Sequence, residues 1–398
     1  MASVEEHDHK RDHCAEQQQT EQQQTRVTEP AAASVAGAEI GGDVAQQDPH
    51  AGRVLRLNGS VTSLPMLDLA AFAADPDSAQ GREFAAALTT ACHEVGFVYL
   101  TGHGVGSEVE VGVLSAAERF FALPEPDRLA IVNTRSPHFR GYTRLGHEHT
   151  NGVSDRRDQI DIGPERDEPV VDDDAPRWMR LRGPNQWPPA VPEMQPAVAT
   201  WMAQMERVGR LVLRALAIGL GQPADHFDPV VAGDPEVLVK IIRYPAAALV
   251  DDSDGQGVGA HHDSGLLTFI MQDSVGGLQV LRGDSFVDAP RVPGAYILNL
   301  GEMLQLATNG YLRATKHRVV SPSAAQRISV AYFFNPAMEA TLVPVELPPA
   351  LAALAPGGQN ANPDDPVLST YGDNWLKFRI RSHPDVAAIH HPDLVISP

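Results

Sequence analysis

Apolar residues fall into two textures along this chain, and the change comes near residue 231. Before it the spacing is helical. In EFAAALTTACHEV, residues 83–95, apolar side chains recur every three or four positions, which predicts an amphipathic helix. GFVYLTGHGV, residues 96–105, reads as a strand closed by a glycine turn, and a second helix is expected over 109–122, ending before Pro124. A longer helix is predicted over 192–220, with Pro192 in its first turn and Gly221 as its stop. Its core stripe is Val198, Trp201, Met205, Val208, Leu211, Val212 and Leu216. LRGPNQWPPAVP, residues 181–192, carries too many prolines for regular structure and reads as a surface loop. From 237 onward short apolar runs (VLVKIIRY, LLTFIMQ, LQVLR, AYILNL, HRVV, ISVAYFF) are divided by Gly, Pro, Asp and Asn. That pattern predicts an antiparallel sandwich or barrel such as a jelly roll. The expected class is mostly β with flanking helices.

Residues 1–60 belong to neither texture. AEQQQTEQQQT and the Ala/Gly/Glu-rich stretch after it hold too few large apolar side chains to offset ordering entropy, so a disordered tail is expected there. His7, His9, His13 and Cys14 lie in this tail, which supplies no preorganised metal geometry. Folded structure is expected to start at SLPMLDL, residues 63–69.

The chain has 398 residues, enough for one large domain with a sizeable core. With 51 acidic against 31 basic residues its formal charge is -20, which leaves no basic footprint for nucleic acid or anionic lipid and points to small-molecule partners. Two cysteines rule out a disulfide framework or a cysteine-rich metal site and fit a reducing cytoplasm. No apolar run is long enough to span a bilayer, and the polar N-terminus lacks the core of a signal peptide. Nothing in the sequence sets the oligomeric state.

The candidate chemistry sits in GAHHDSGLLTFIMQDSVGG, residues 259–277. Residues i and i+2 of a strand share a face, so His261 and Asp263 can approach one ion while His262 points away, to a supporting or solvent role. A third ligand is expected from another strand, and His317 in LRATKHRVV, 54 positions beyond Asp263, is the histidine of the remaining sheet region. Two imidazoles and one carboxylate leave adjacent coordination positions open, which suits non-haem Fe(II) better than structural zinc. Arg327 and Ser329 in RISVAYFF again stand at i and i+2. A guanidinium and a hydroxyl converging inside an apolar barrel make a carboxylate clamp, against the plainer reading of a structural salt bridge.

From residue 64 to the C-terminus the sequence resembles the isopenicillin N synthase-like branch of the Fe(II)- and 2-oxoglutarate-dependent dioxygenases. The resemblance is carried in order by LPMLDL, ACHEVGFVYLTGHGV, FFALPEPDR, RGYTRLGHE, GPNQWP, RYP, GAHHDSGLLTFIMQD, GGLQV, NLGE, TNGYLRATKHRV and RISVAYFFNP. It implies a double-stranded β-helix (jelly-roll) core at 231–345. An N-terminal non-haem dioxygenase region with helices would cover 61–230, and a C-terminal loop and helix at 346–398 would pack on the core. It further implies Fe(II) on His261, Asp263 and His317, with Arg327, Ser329 and Tyr244 holding 2-oxoglutarate, and O2 as oxidant. The implied reaction oxidises a small metabolite by hydroxylation, desaturation or ring closure, releasing succinate and CO2, with a place in secondary metabolism.

Two departures from the family stand in the motifs: Glu302 in NLGE where aspartate is frequent, and Arg243 before Tyr244 where asparagine is frequent. Substrate contacts in the family come from the N-terminal part and the last helix, which makes Arg140, Tyr142 and residues 371–386 substrate candidates. His103 reads as structural. The alternatives are an oxidase in which Arg327 and Ser329 take the substrate's own carboxylate and no 2-oxoglutarate is used, or a metal-bearing binding module without turnover. A zinc hydrolase lacks a general base in any recognisable motif.

Overall fold

The computed structural model describes residues 55–57, 60–62, 64–170, 174–246, 256–321, 325–341, 344–357, 367–368 and 370–394, with only the backbone of the first two stretches. Of the expected tail at 1–60 only 55–57 and 60 are described, as strand backbone, and its His7, His9, His13 and Cys14 lie outside the described residues.

Two sheets face each other. The larger has eight strands in the order β3 (Met66–Asp68), β4 (Phe97–Thr101), β14 (Tyr296–Leu300), β11 (Leu267–Gln272), β16 (Arg327–Ala337), β9 (Pro235–Tyr244), β8 (Asp158–Ile162) and β5 (Gly141–Thr143). Its pairs are antiparallel except β3 with β4. The smaller runs β10 (Gln256–His261), β15 (His317–Val320), β12 (Leu278–Arg282), β13 (Ser285–Asp288). Two ribbons complete the set: β1 (Leu55–Leu57) with β2 (Ser60–Thr62), and β6 (His149–Thr150) with β7 (Val153–Ser154). This is the expected jelly roll with flanking helices. Four of the eight large-sheet strands come from before residue 231, so the N-terminal region adds strands to the sheet as well as helices.

Strand alternation makes two cores from one sheet. Val330, Tyr332 and Phe334 of β16, with Phe269 of β11 and Leu298 of β14, turn outward onto the helices. The helix Met194–Gly219 presents Val198, Trp201, Met205, Val208, Val212 and Leu216 to them, all fully buried. It begins two residues later than expected, and Leu211 is only partly buried where Leu213 takes the inner place. Gly221 at φ +75° ends it, a backbone region that favours glycine. The inner face meets the smaller sheet over Phe97, Tyr99, Ile242, Tyr244, Val258, Val280 and Val319. Helices Ala79–Glu94 and Ser107–Ala122 fall where the periodicity placed them.

Candidate active site

β10 and β15 run side by side with His261 directly opposite His317, and their ring centroids are 4.3 Å apart. Asp263 lies just past the end of β10, so the chain's turn out of the strand brings it round where the sequence suggested strand pleating. One ligand atom from each of His261, Asp263 and His317 lies within 4.8 Å of the others.

Hydrogen bonds decide which atoms face the common centre. His261 Nδ1 is held by the Gly259 carbonyl at 2.7 Å, and His317 Nδ1 by the Thr315 carbonyl at 3.1 Å. Both rings therefore donate from Nδ1 and leave the Nε2 lone pair free. Asp263 Oδ2 accepts from Thr268 Oγ1 at 2.5 Å and Asn299 Nδ2 at 2.7 Å, so its Oδ1 is the oxygen that faces the two Nε2 atoms, at 3.7 and 3.8 Å. Desolvation lowers the affinity of both imidazoles for a proton, to a pKa of about 4 for His317. Burial pushes Asp263 up, but His317, His261 and the two hydrogen bonds outweigh it and hold it below the usual carboxylate range. Two neutral imidazoles and one carboxylate is the protonation state that a divalent transition metal requires of its ligands.

The clamp residues lie on the inner face of the larger sheet. Arg327 is 1% exposed, and its Nη1 and Nη2 donate to Ser329 Oγ and Gln272 Oε1, each at 3.1 Å. Tyr244 stands opposite it in register, with the guanidinium 4.8 Å from the ring centre. Arg327 makes no ion pair with a carboxylate among the described residues, so the structural salt bridge does not form. Gly257 makes room for this pair: a Cβ there would stand 2.8 Å from Tyr244 Cδ1.

The two substrate candidates are engaged elsewhere. Arg140 is buried and ion-paired with Glu236 at 3.1 Å, and the Tyr142 hydroxyl donates to Asp158 at 2.8 Å. Register puts Tyr142 opposite Ile160, on the outward face with Phe120, so packing replaces the expected substrate contact. Arg243 is likewise on that face, held by both oxygens of Asp158 at 2.9 and 2.6 Å. His262 turns away from the metal ligands to a cleft of about 570 Å³ beside Leu281 and Thr315. His103 bonds Gly294 O and Val105 N, a structural role.

Thr268, Asn299 and Gln272 went unnoticed in the sequence. Thr268 and Asn299 are lone polar residues in apolar runs, Gln272 closes such a run, and 268 and 272 share one strand parity, which was the available signal.

Comparison with known proteins places this geometry. Residues 64–190 match the family described as non-haem dioxygenase in morphine synthesis, N-terminal, and residues 237–336 match the 2OG-Fe(II) oxygenase superfamily. Homoarginine-6-hydroxylase of Glycine max is 33% identical over 72% of this chain and 89% of its own length. The 2-oxoglutarate-dependent dioxygenase frbJ of Dothideomycetidae sp. is 32% identical over 82% of this chain and 91% of its own. The crystal structure of Neurospora crassa T7H with alpha-KG and thymine superposes with a TM-score of 0.62 at 25% identity, over 85% of this chain and 99% of that one. The chain belongs to the Fe(II)- and 2-oxoglutarate-dependent oxygenase superfamily, in its isopenicillin N synthase-like branch. Its cofactors are Fe(II), 2-oxoglutarate and O2, and it oxidises a small molecule with them. No helix among the described residues is long and apolar enough to cross a membrane.

Proposed function

We propose that His261, Asp263 and His317 hold the Fe(II), and that Arg327, Ser329 and Tyr244 hold the distal carboxylate of 2-oxoglutarate, in an enzyme of small-molecule secondary metabolism. The observation that carries this reading is the buried Arg327 guanidinium, whose hydrogen bonds among the described residues go to the neutral oxygens of Ser329 and Gln272. A buried cation needs an anion, and the guanidinium fork fits a carboxylate.

The donor set fits the metal: Nε2, Nε2 and Oδ1 converge in the protonation state that binding requires. Fe(II) held there supplies, with 2-oxoglutarate and O2, oxidative decarboxylation to succinate and CO2 coupled to oxidation of a substrate C–H bond. The protein's part is positioning. Thr268 and Asn299 fix which oxygen Asp263 presents, and Phe97, packed edge-on to His317 at 5.2 Å, helps keep water from the inner side. Arg327 and Ser329 fix the far end of the cosubstrate, so that its keto acid end meets the metal in one orientation.

Cys92 is buried, and desolvation pushes its thiol up to about 12, which leaves it inert and suits a cytoplasmic setting. The test is a metabolite screen for succinate release from 2-oxoglutarate. A compound that raises succinate and is itself oxidised in equal amount supports the reading. Oxidation of a compound with no 2-oxoglutarate consumed would replace it with the oxidase alternative.

A further inference from the structure

The sheet face that carries Ser329 continues sideways into β9 and β8, where it stops being apolar. In register, Ser329 stands opposite Ile242 and Ile242 opposite Gln159. One row on, Ala331 stands opposite Lys240 and Lys240 opposite Asp161. Gln159, Lys240 and Asp161 thus share the face that bears the clamp.

They belong to a buried ion cluster. Lys240 Nζ lies 3.0 and 3.1 Å from the two oxygens of Glu148 and 3.1 and 3.2 Å from those of Asp161. Arg157 Nη2 reaches Asp155 at 2.9 Å and Glu148 at 3.3 Å, and Arg379, from the C-terminal helix Tyr371–Ser382, stands 2.7 Å from Asp161 Oδ2. None of the six is more than 8% exposed. The cluster adjoins the metal ligands: Asp155 Oδ1 is 3.5 Å from the backbone N–H of Gly259, two residues before His261.

Two features of this wall bear on what it could bind. Its formal charges cancel, with Glu148, Asp155 and Asp161 against Lys240, Arg157 and Arg379. It also keeps polar atoms in reserve. Gln159 donates from Nε2 to Asp161 Oδ1 at 2.7 Å, which leaves its Oε1 buried and without a partner among the described residues. Arg157 Nε is likewise buried and unpartnered. Both residues are at least nine-tenths buried; Gln159 lies in β8 and Arg157 just before its first residue, so an unmet donor and an unmet acceptor stand two positions apart in the chain.

We propose that Arg157 and Gln159, backed by the ion cluster around Lys240, form the substrate-recognising wall of the metal site. The substrate is a small zwitterion of the α-amino-acid type, its carboxylate on Arg157 Nε and its ammonium on Gln159 Oε1. A ligand that is neutral overall but dipolar satisfies both atoms and preserves the cluster's balance. A simple anion or cation would leave one buried charge uncompensated, and an apolar ligand would leave both atoms unmet. The proposal rests on the metal and cosubstrate assignments above.

The experiment loads the chain with Zn(II), a diamagnetic stand-in for Fe(II), and with 2-oxoglutarate. Ligand-observed saturation-transfer NMR is then run on three mixtures: the common L-α-amino acids with uncharged side chains, the matching acids lacking the amine, and the matching amines lacking the carboxylate. At least one amino acid gives signal and neither matched mixture does. Signal only from the acids or only from the amines, or none from the amino acids, overturns the proposal. For the amino acid found, Gln159→Leu weakens binding about 10- to 100-fold, the loss of one hydrogen bond to a charged group. 2-Oxoglutarate affinity stays within about twofold, because Gln159 lies two strands away from Ser329. Arg157→Lys provides a second variant that keeps the charge, and amino-acid affinity unchanged in both refutes the wall. Failure of 2-oxoglutarate to bind the wild type would sink the cosubstrate assignment instead, so the two failures are distinguishable.

Discussion

Replacing Arg327 by methionine separates a ligand clamp from a structural ion pair, because the two predict opposite changes in the ligand-free protein. Breaking a buried ion pair by removing one partner costs about 3–5 kcal/mol. Among the described residues Arg327 has no ion-paired carboxylate to abandon, only Ser329 Oγ, Gln272 Oε1 and the Tyr244 ring, so much of its desolvation is uncompensated until an anion arrives. Arg327→Met is therefore expected to lose less than about 3 kcal/mol without 2-oxoglutarate, because two hydrogen bonds and the ring contact are lost while the desolvation cost of the guanidinium is relieved. With the cosubstrate the order reverses. Losing a charge-assisted pair costs about 2–5 kcal/mol of binding, or roughly 30-fold to several-thousand-fold in affinity. Wild type at 100 times its dissociation constant gains about 2.7 kcal/mol of stability, and a 30-fold weaker variant at the same concentration gains less than about 1 kcal/mol. Anaerobic urea unfolding of metal-loaded wild type and variant, with and without 2-oxoglutarate, reads both effects. A variant that keeps the full cosubstrate gain, or that drops by 3–5 kcal/mol in its absence, would refute the clamp.

Asn299→Ala removes one of the two donors that orient Asp263, and about 10- to 100-fold weaker Fe(II) binding is expected in a chelator competition, with the fold unchanged by circular dichroism. Gly257→Ala drives a Cβ to within 2.8 Å of Tyr244, so 2-oxoglutarate affinity should fall about 2- to 30-fold through the displaced ring. Gly276→Ala meets nothing within 4 Å and should leave it unchanged. Acid should unfold the protein early: burial and Arg379 hold the His383 pKa down at about 3 against its ordinary 6.5, so the unfolded chain takes up a proton first. That contribution is whole above pH 6.5 and is lost as pH falls toward 3. Glu148 and Asp161, held low by Arg157, Lys240 and Arg379 against their own burial, add their loss below about pH 4.5. Each group steepens the fall by at most about 1.4 kcal/mol per pH unit, and urea midpoints from pH 7 to 4 should flatten between 6.5 and 5 in His383→Asn.

Sequence reading succeeded where one strand carries the information. Arg327 and Ser329 are two positions apart on one strand, and the long helix shows its stripe without any partner, whereas Asp263 joins His261 through the turn after β10 and not through strand alternation. It faltered where a residue's meaning depends on a distant strand. Tyr142 looked available for substrate, yet pairing with β8 turns it onto the helical core beside Asp158, a fact of register that no local pattern holds. Gln272 and Asn299 matter because β11 and β14 bring them beside Arg327 and Asp263, from 55 and 36 positions away. The ion cluster was the least legible, since Glu148, Arg157, Asp161, Lys240 and Arg379 are scattered over more than 200 residues and each alone reads as an ordinary surface charge.

The central claim is that one site built from His261, Asp263, His317 and Arg327 takes Fe(II) and 2-oxoglutarate together, and its most direct test is anaerobic titration of 2-oxoglutarate into the Fe(II)-loaded protein, followed in the visible spectrum. A weak charge-transfer band should grow to saturation at one equivalent per chain, and should be absent in Asp263→Ala. Iron that loads at one equivalent while 2-oxoglutarate produces no band would contradict the account.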